Sequence, residues 1–419
     1  MKSSGSGKWD VIVIGGGAAG LMAAGSAAGN GARTLLLEKM RRPARKLRIS
    51  GKGRCNLSNA APREDFMRHF GDGGEFLNPA FDHWFVPELT RFFRDIGVET
   101  VTERGGRIFP VGGRATEVVD TLVRWVRRQG CRVITDSRVE KIILENGAVA
   151  GGVCAGETYS APKVILAAGG SSYPATGSAG DGCRLAHAAG HHITDIRPAL
   201  VPLEVREHRT SSALTGLTLR NIRLRIITDG NLSDEQFGEL RFEDFGVSGP
   251  VVLTASGSIV DSLRAGRSVE LSLDLKPALS EQKLRGRLLR DLQKRADEPM
   301  SSLLRGLLPR QLVRVCLKAC SIRGGRPGRS INTEEQTRLL DWLKDFRFTV
   351  SAHRPWSEAI VTAGGVDLSE VNPATMESRL INGLYLTGEL LDIQADTGGY
   401  NLQAAFSTGR LAAASAIAA

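Results

Sequence analysis

Val11-Ile12-Val13-Ile14-Gly15-Gly16-Gly17-Ala18-Ala19-Gly20 decides the fold of this 419-residue chain. An apolar run of strand type ends at Gly15, and Gly15, Gly17 and Gly20 complete G-x-G-x-x-G. Leu21, Met22, Ala23 and Ala24 continue in small and apolar residues, as a tightly packed helix does. A second apolar run, Thr34-Leu35-Leu36-Leu37, closes on an acid, Glu38. Strand, glycine turn, helix, strand and terminal acid form a dinucleotide-binding βαβ unit. Gly15 makes the tight turn, Gly17 lets backbone approach a pyrophosphate, and Gly20 lets helix and strand pack closely. The helix start at Ala18 and Ala19 offers unpaired N–H groups and partial positive charge to the phosphates. Glu38 is expected to accept hydrogen bonds from a ribose diol.

The length suggests two or three domains, and 42% hydrophobic against 24% charged residues is the balance of a globular protein. A net charge of +10 raises a nucleic-acid partner. No nucleic-acid module is legible, so the excess is assigned to an anionic cofactor and to solvated surface. The six cysteines, Cys55, Cys131, Cys154, Cys183, Cys316 and Cys320, include no C-x-x-C, which predicts reduced thiols and a cytoplasmic setting. Cys316 and Cys320 have the spacing of one buried helix face. No apolar stretch reaches membrane-spanning length, and the polar start Met1 to Lys8 reads as a disordered lead-in, not a signal peptide.

Arg41 to Asn59, RRPARKLRISGKGRCNLSN, reads as a basic, glycine-bearing loop that returns over the cofactor phosphates. Gly51 and Gly53 permit backbone approach, Lys52 and Arg54 supply charge, and Cys55 and Asn56 are expected near the reactive ring. Residues 64 to 130 read as mainly helical around a phenylalanine-rich core, with a helix over Ala115 to Gln129. Strands are predicted at Cys131 to Ile134, Val139 to Leu144 and Ala148 to Cys154, the last two joined by the turn Glu145-Asn146-Gly147. Val164 to Gly170 reads as a buried strand that ends in Ala168, Gly169 and Gly170 beside the cofactor. From Pro198 the pattern changes to short alternating strands at Leu203 to Val205, Leu217 to Ile227, Glu239 to Phe242 and Ser268 to Leu275. Helices follow at Ser280 to Ala296, Pro309 to Ala319 and Thr333 to Phe346. No second G-x-G-x-x-G occurs there, so tight storage of NAD is not supported. Leu384-Tyr385-Leu386-Thr387-Gly388-Glu389 is a further buried strand, and Gly398-Gly399-Tyr400-Asn401-Leu402 opens a small-residue helix with a second N-terminus for an extended cofactor. These segments predict a Rossmann-like cofactor domain from residues 8–195 and 349–419, interrupted by a mainly β domain with a helical segment at 196–348.

Together these strings resemble the bacterial flavoprotein family described as aminoacetone-oxidase-like or BaiN-like FAD-binding enzymes. The likeness rests on Gly15 to Gly20, SGKGRCNLSN (Ser50 to Asn59), GGRIFPVGGRATEVVDTL (Gly105 to Leu122) and LAAGGSSYPATGSAGDG (Leu166 to Gly182). PALVPL (Pro198 to Leu203), FGVSGPVVL (Phe245 to Leu253), TAGGVDLSEVNPATMESR (Thr362 to Arg379) and LYLTGELLDIQADTGGYNLQAAFSTG (Leu384 to Gly409) extend it over nearly the whole chain. Arg114, Val111-Gly112-Gly113 and Gln394-Ala395 depart from the usual pattern. The resemblance implies FAD as resident cofactor, an α/β fold of glutathione-reductase-like type with a β-rich insertion, and oxidoreductase activity of open substrate.

A flavin accepts or donates hydride at N5, and the protein orients the ring, tunes its charge and excludes water. The cofactor set expected here adds Lys39, Lys46, Ser50, Val139, Gly388, Glu389, Asp392, Asn401 and Leu402 to the residues above. N–H groups at Gly399-Tyr400-Asn401 are expected to favour negative charge on the reduced ring. Tyr173, Arg54, Cys55 and Tyr400 are candidate substrate-side groups: Tyr173 as proton donor or ring-packing residue, Cys55 as redox partner. His191 and His192 are expected to be structural. Asp181 is a candidate for ribityl or ribose hydroxyls or for a turn. A small organic substrate with NADH or NADPH as transient reductant leads; an RNA-modifying flavoprotein and a flavin-binding regulator without turnover remain as alternatives.

Overall fold

The computed structural model describes residues 8–418 and divides them into two compact units. The first takes the chain up to Pro198 and from Trp356 onward; the second is Ala199–Pro355. The lead-in Met1 to Gly7 lies outside the described residues.

The first unit is built on a five-stranded parallel sheet in the order Leu384–Leu386, Lys163–Leu166, Val11–Ile14, Thr34–Leu37, Arg132–Ile134. The strands Val11–Ile14 and Thr34–Leu37 are buried at every position. Covering on both faces is why they read as unbroken apolar runs without alternation. Helix Ala18–Gly29 is buried almost all round for the same reason. A Cβ at Gly409, in the closing helix Tyr400–Ala418, would run into the Ala19 carbonyl, so the two helices meet backbone to backbone. Val139–Glu145, Ala148–Cys154 and Glu157–Ser160 form an antiparallel three-stranded sheet.

The basic segment after Glu38 differs from the expected loop. Arg45–Gly53 is helical, interrupted where Ser50, Gly51 and Lys52 leave helical angles, and Ser58–Asn59 is a short strand. Arg45, Lys46, Leu47 and Arg48 are good helix formers, and the Gly and Ser residues that suggested a loop mark the kink instead.

The second unit is a closed six-stranded antiparallel barrel, ordered Leu203–Val205, Gly246–Ser248, Asn231–Phe242, Thr218–Thr228, Val269–Asp274, Phe346–His353. Ile222, Leu224 and Ile226 point inward from Thr218–Thr228 with period two. Helices Glu281–Lys294, Arg310–Ala319 and Thr333–Lys344 bury one apolar face each. Cys316 and Cys320 are free thiols in this core. The expected strand Glu239 to Phe242 is the end of a twelve-residue strand whose earlier part breaks the apolar-in, polar-out alternation, with Leu232 and Phe237 exposed. Helix Pro250–Arg264 was not among the expected elements, although Val251, Ala255, Ile259 and Leu263 recur at helical spacing and Pro250 stands in its first turn.

Candidate functional site

At the start of helix Ala18–Gly29 the glycines divide into two kinds. A Cβ at Gly15, whose φ is +100°, would lie 2.6 Å from the Ala167 carbonyl oxygen, and one at Gly20 would collide with the Gly15 carbonyl. Gly17 has nothing within 4 Å of the place its Cβ would occupy, and no side chain caps the helix start. Backbone N–H groups therefore open toward free space there, as an anion site requires. Glu38 accepts from the Gly16 N–H at 2.6 Å and the Met40 N–H at 2.7 Å. Burial pushes its carboxyl upward, against the pull of those two donors.

Gly15, Glu38, Lys39, Val139 and Ala168 line one cavity at the carboxyl ends of the parallel strands. Fold and position agree: open α/β sheets bind ligands at that edge. Ser137, Arg138, Gly177 and Asp181 complete its wall. Asp181 pairs with Lys39 at 2.5 Å and with Arg138 at 2.5 Å. Burial alone would raise the Asp181 carboxyl, but the bonds from Arg138 and Lys39 prevail and hold it below the usual range.

A second constellation joins four distant segments. Lys46 Nζ meets the Glu389 carboxylate at 2.6 Å and also the Ser172 hydroxyl. Ser172 Oγ donates to Glu389 at 2.9 Å, and the Thr362 N–H donates to the same carboxylate at 2.8 Å. Thr362 Oγ1 in turn accepts from the Ser171 N–H at 2.8 Å, which fixes the loop after Gly170. A Cβ at Gly170 would fall on the Thr362 side chain. Tyr173 follows directly, with φ +51° and its N–H donating to the Trp356 carbonyl at 2.9 Å. Its phenol is raised by burial first and by Glu358 second.

Other expected site residues are placed by packing. Cys55 is 0% exposed in the core, and burial pushes its thiol up to about 12, which keeps it neutral. Tyr400 is also enclosed, its ring stacked on His69 at 3.9 Å and edge-on to Phe66 at 4.7 Å. Arg54 lies on the surface, paired with Glu103 at 2.5 Å and 4.2 Å above the Phe109 ring. Ser50 Oγ donates to the Leu47 carbonyl, and the kink at Gly51 and Gly53 carries positive φ at both glycines. Asp392 is taken up by Thr194 at 2.8 Å and the Gly364 N–H at 3.1 Å. Asn401 closes the loop before it, accepting from the Ala395 N–H at 2.9 Å, and Leu402 packs against the core. Gly399, φ +105°, is required because a Cβ would meet the Ser58 carbonyl; at Gly388 a Cβ would lie 2.9 Å from Ala19. Gly169 also has positive φ. His191 is buried between Glu370 and Ser378, at 2.9 Å from each.

Sequence reasoning missed Ser137, Arg138, Ser172 and Thr362. The string GGSS after the buried strand was the available signal for Ser172; nothing local marks Thr362. The donor set fits a dinucleotide flavin. Asn56 Oδ1, Ser178 Oγ and Thr387 Oγ1 are buried oxygens with no protein partner, in segments flanking these two constellations. An uncapped helix start and hydroxyl-rich polar groups are what a pyrophosphate and ribityl chain need.

A parallel sheet of this kind, with these glycines, defines a dinucleotide-binding protein of Rossmann type. The model for the HI0933-like protein Rossmann domain matches residues 9–415, and the chain belongs to that family. It is 34% identical over 403 residues, 96% of this chain and 97% of the relative, to 3-dehydro-bile acid delta(4,6)-reductase of Clostridium scindens. It is 29% identical over 437 residues, 98% of this chain and 99% of the relative, to ribosomal RNA dihydrouridine synthase of Escherichia coli. Among solved structures, 3-ketosteroid delta1-dehydrogenase of Sterolibacterium denitrificans matches with TM-score 0.52 and 14% identity, over 98% of this chain and 99% of that one. That likeness is one of fold. No helix among the described residues is long and apolar enough to cross a membrane.

Proposed function

We propose that this enzyme saturates a carbon–carbon double bond conjugated to a carbonyl in a ring substrate, with NADH or NADPH as reductant. What carries the proposal is full-length similarity to two relatives whose named reactions share that bond change. A delta(4,6)-reductase saturates ring double bonds of an oxo bile acid, and dihydrouridine is uridine with one ring double bond saturated. A bound flavin supplies the hydride at N5. Gly15, Gly17, Ala18, Ala19 and Gly20 would hold the pyrophosphate; Glu38, Lys39 and Val139 the adenosine end; Lys46, Ser50, Gly51, Gly53, Asn56, Gly388, Glu389 and the Gly399 to Leu402 turn the remainder. Tyr173 donates the proton to the substrate carbon that does not receive hydride. Its phenol, raised above its ordinary value, keeps that proton at neutral pH. Arg54, exposed at the kinked segment, orients the substrate carbonyl.

The apolar substrate class follows the bile acid relative, and a small steroid-like dienone is the first substrate to try. The second substrate, uracil within RNA, follows the ribosomal RNA dihydrouridine synthase relative. Anaerobic titration of the purified yellow protein with NADH and NADPH, followed by a dienone steroid or uridine-containing RNA, tests the proposal. Flavin absorbance bleaches with one nucleotide and recovers with one acceptor. Protein that binds no flavin, or reduced protein that neither acceptor reoxidises, overturns it.

A further inference from the structure

Residues 276–338 hold fifteen Lys and Arg against six Asp and Glu, so this stretch carries +9 of the chain's net +10. Its placement is not random. Helix Glu281–Lys294 buries Leu284, Leu288 and Leu292, and helix Arg310–Ala319 buries Leu312, Val313, Cys316 and Leu317. Their other faces carry the cations: Arg290 and Lys294 on the first, Arg310, Arg314 and Lys318 on the second, all exposed. The three on the second helix are spaced i, i+4, i+8, a straight row with steps of about 6 Å. On the barrel strands the exposed arginines are cancelled by neighbours, as in Arg220 with Glu239, Arg223 with Glu235 and Arg347 with Glu270. The helical cations named above have no carboxylate partner among the described residues; the ion pairs of this stretch fall on Arg287, Arg295, Arg326 and Arg329.

We propose that this helical face binds the phosphate backbone of RNA. Uncancelled cations in a row position a polyanion without reading its bases. A membrane surface is disfavoured because Leu289, at 38%, is the one large apolar side chain exposed on these helices, too little to anchor in lipid. The choice of RNA over DNA rests on the uracil arm of the proposed reaction; the polyanion site itself does not.

The test uses the full-length flavin-loaded protein and fluorescence anisotropy with a short uridine-containing hairpin RNA across a salt series. Wild type binds at about 50 mM salt, and log affinity falls linearly with log salt. The variant R310Q/R314Q/K318Q binds about tenfold or more weakly, with a salt slope smaller by about 2–3. The single variant R314Q moves the slope by about a third as much, which keeps the test alive if the triple variant is unstable. R220Q/R223Q, on the ion-paired barrel face, binds within about twofold of wild type. No RNA retention at low salt, an unchanged slope in both variants, or binding to phosphatidylserine vesicles in place of RNA overturns the site. Equal binding of a DNA duplex overturns the choice of RNA. Failure of RNA binding with flavin bound and reducible sinks this inference alone; loss of flavin reduction sinks the proposed reaction alone.

Discussion

The glycine turn at Gly15 to Gly20 and the knot of Lys46, Ser172, Thr362 and Glu389 both shape the cofactor unit, by opposite means. The turn works by leaving atoms out. Gly15 and Gly20 let carbonyls and backbone touch, and Gly17 leaves the helix start open. The knot works by filling space with charge and hydroxyl groups, tying residues 343 positions apart through one carboxylate. A site of omitted atoms tolerates no addition, whereas a site of paired charges tolerates loss at moderate cost, because either partner can be replaced together with the other.

The largest expected effect separates the glycines from one another. Gly20→Val places a side chain on the Gly15 carbonyl, and destabilisation beyond about 4 kcal/mol removes soluble protein. Gly17→Val meets no protein atom, so its melting temperature stays near wild type while flavin retention collapses. If both variants fold and both keep flavin, the omitted-atom account of the turn is wrong.

That contrast also explains what was legible. The turn is local: six residues, the strand before them and the helix they open state the whole device, and the parallel sheet follows from strands that are buried at every position. The knot is not local. Lys46 lies in a segment dominated by basic residues, and nothing in the sequence says that its partner is Glu389 rather than a phosphate. Thr362 is one threonine among many until the fold brings it to Gly170. Helix Pro250–Arg264 was legible in principle, since Val251, Ala255, Ile259 and Leu263 recur every four residues, but Gly257 and four Ser and Thr residues dilute the apolar face. The burial of Cys55 and Tyr400 was not legible for a related reason: proximity in sequence to a cofactor motif does not say which side of the backbone a side chain takes.

Next in size is Tyr173, which the knot carries on its loop. Tyr173→Phe keeps flavin spectrum and nucleotide reduction but slows reoxidation by the substrate about 10²–10⁴-fold. Reoxidation at the wild-type rate would make the phenol a packing group. Glu389→Gln leaves Lys46 with a neutral amide and lowers stability by about 2 kcal/mol, seen in urea unfolding. Lys46→Met combined with Glu389→Gln recovers part of that loss, and the double-mutant cycle reads the coupling directly. Strict additivity would mean that the two charges do not sense each other.

The smallest effect lies inside one cavity wall, where two carboxylates respond to acid in opposite directions. Asp181 is held below its ordinary value of 3.8, so its contribution is complete above that value and is lost as pH falls through the lower folded-state value. Glu38 is raised above 4.5 by burial, despite the N–H groups of Met40 and Gly16. Its ionisation therefore costs the fold stability above the raised value, and protonation returns it as pH falls toward 4.5. Asp181→Asn should flatten the acid limb of the stability curve, and Glu38→Gln should remove the opposing gain. Because the Lys39 and Arg138 partners of Asp181 are themselves partly solvated, the difference stays below about 1 kcal/mol. Chemical unfolding midpoints followed from about pH 6 to pH 3 resolve it. Parallel curves for wild type and both variants would mean that this wall is held by shape, as the glycine turn is, and that its charges serve the ligand alone.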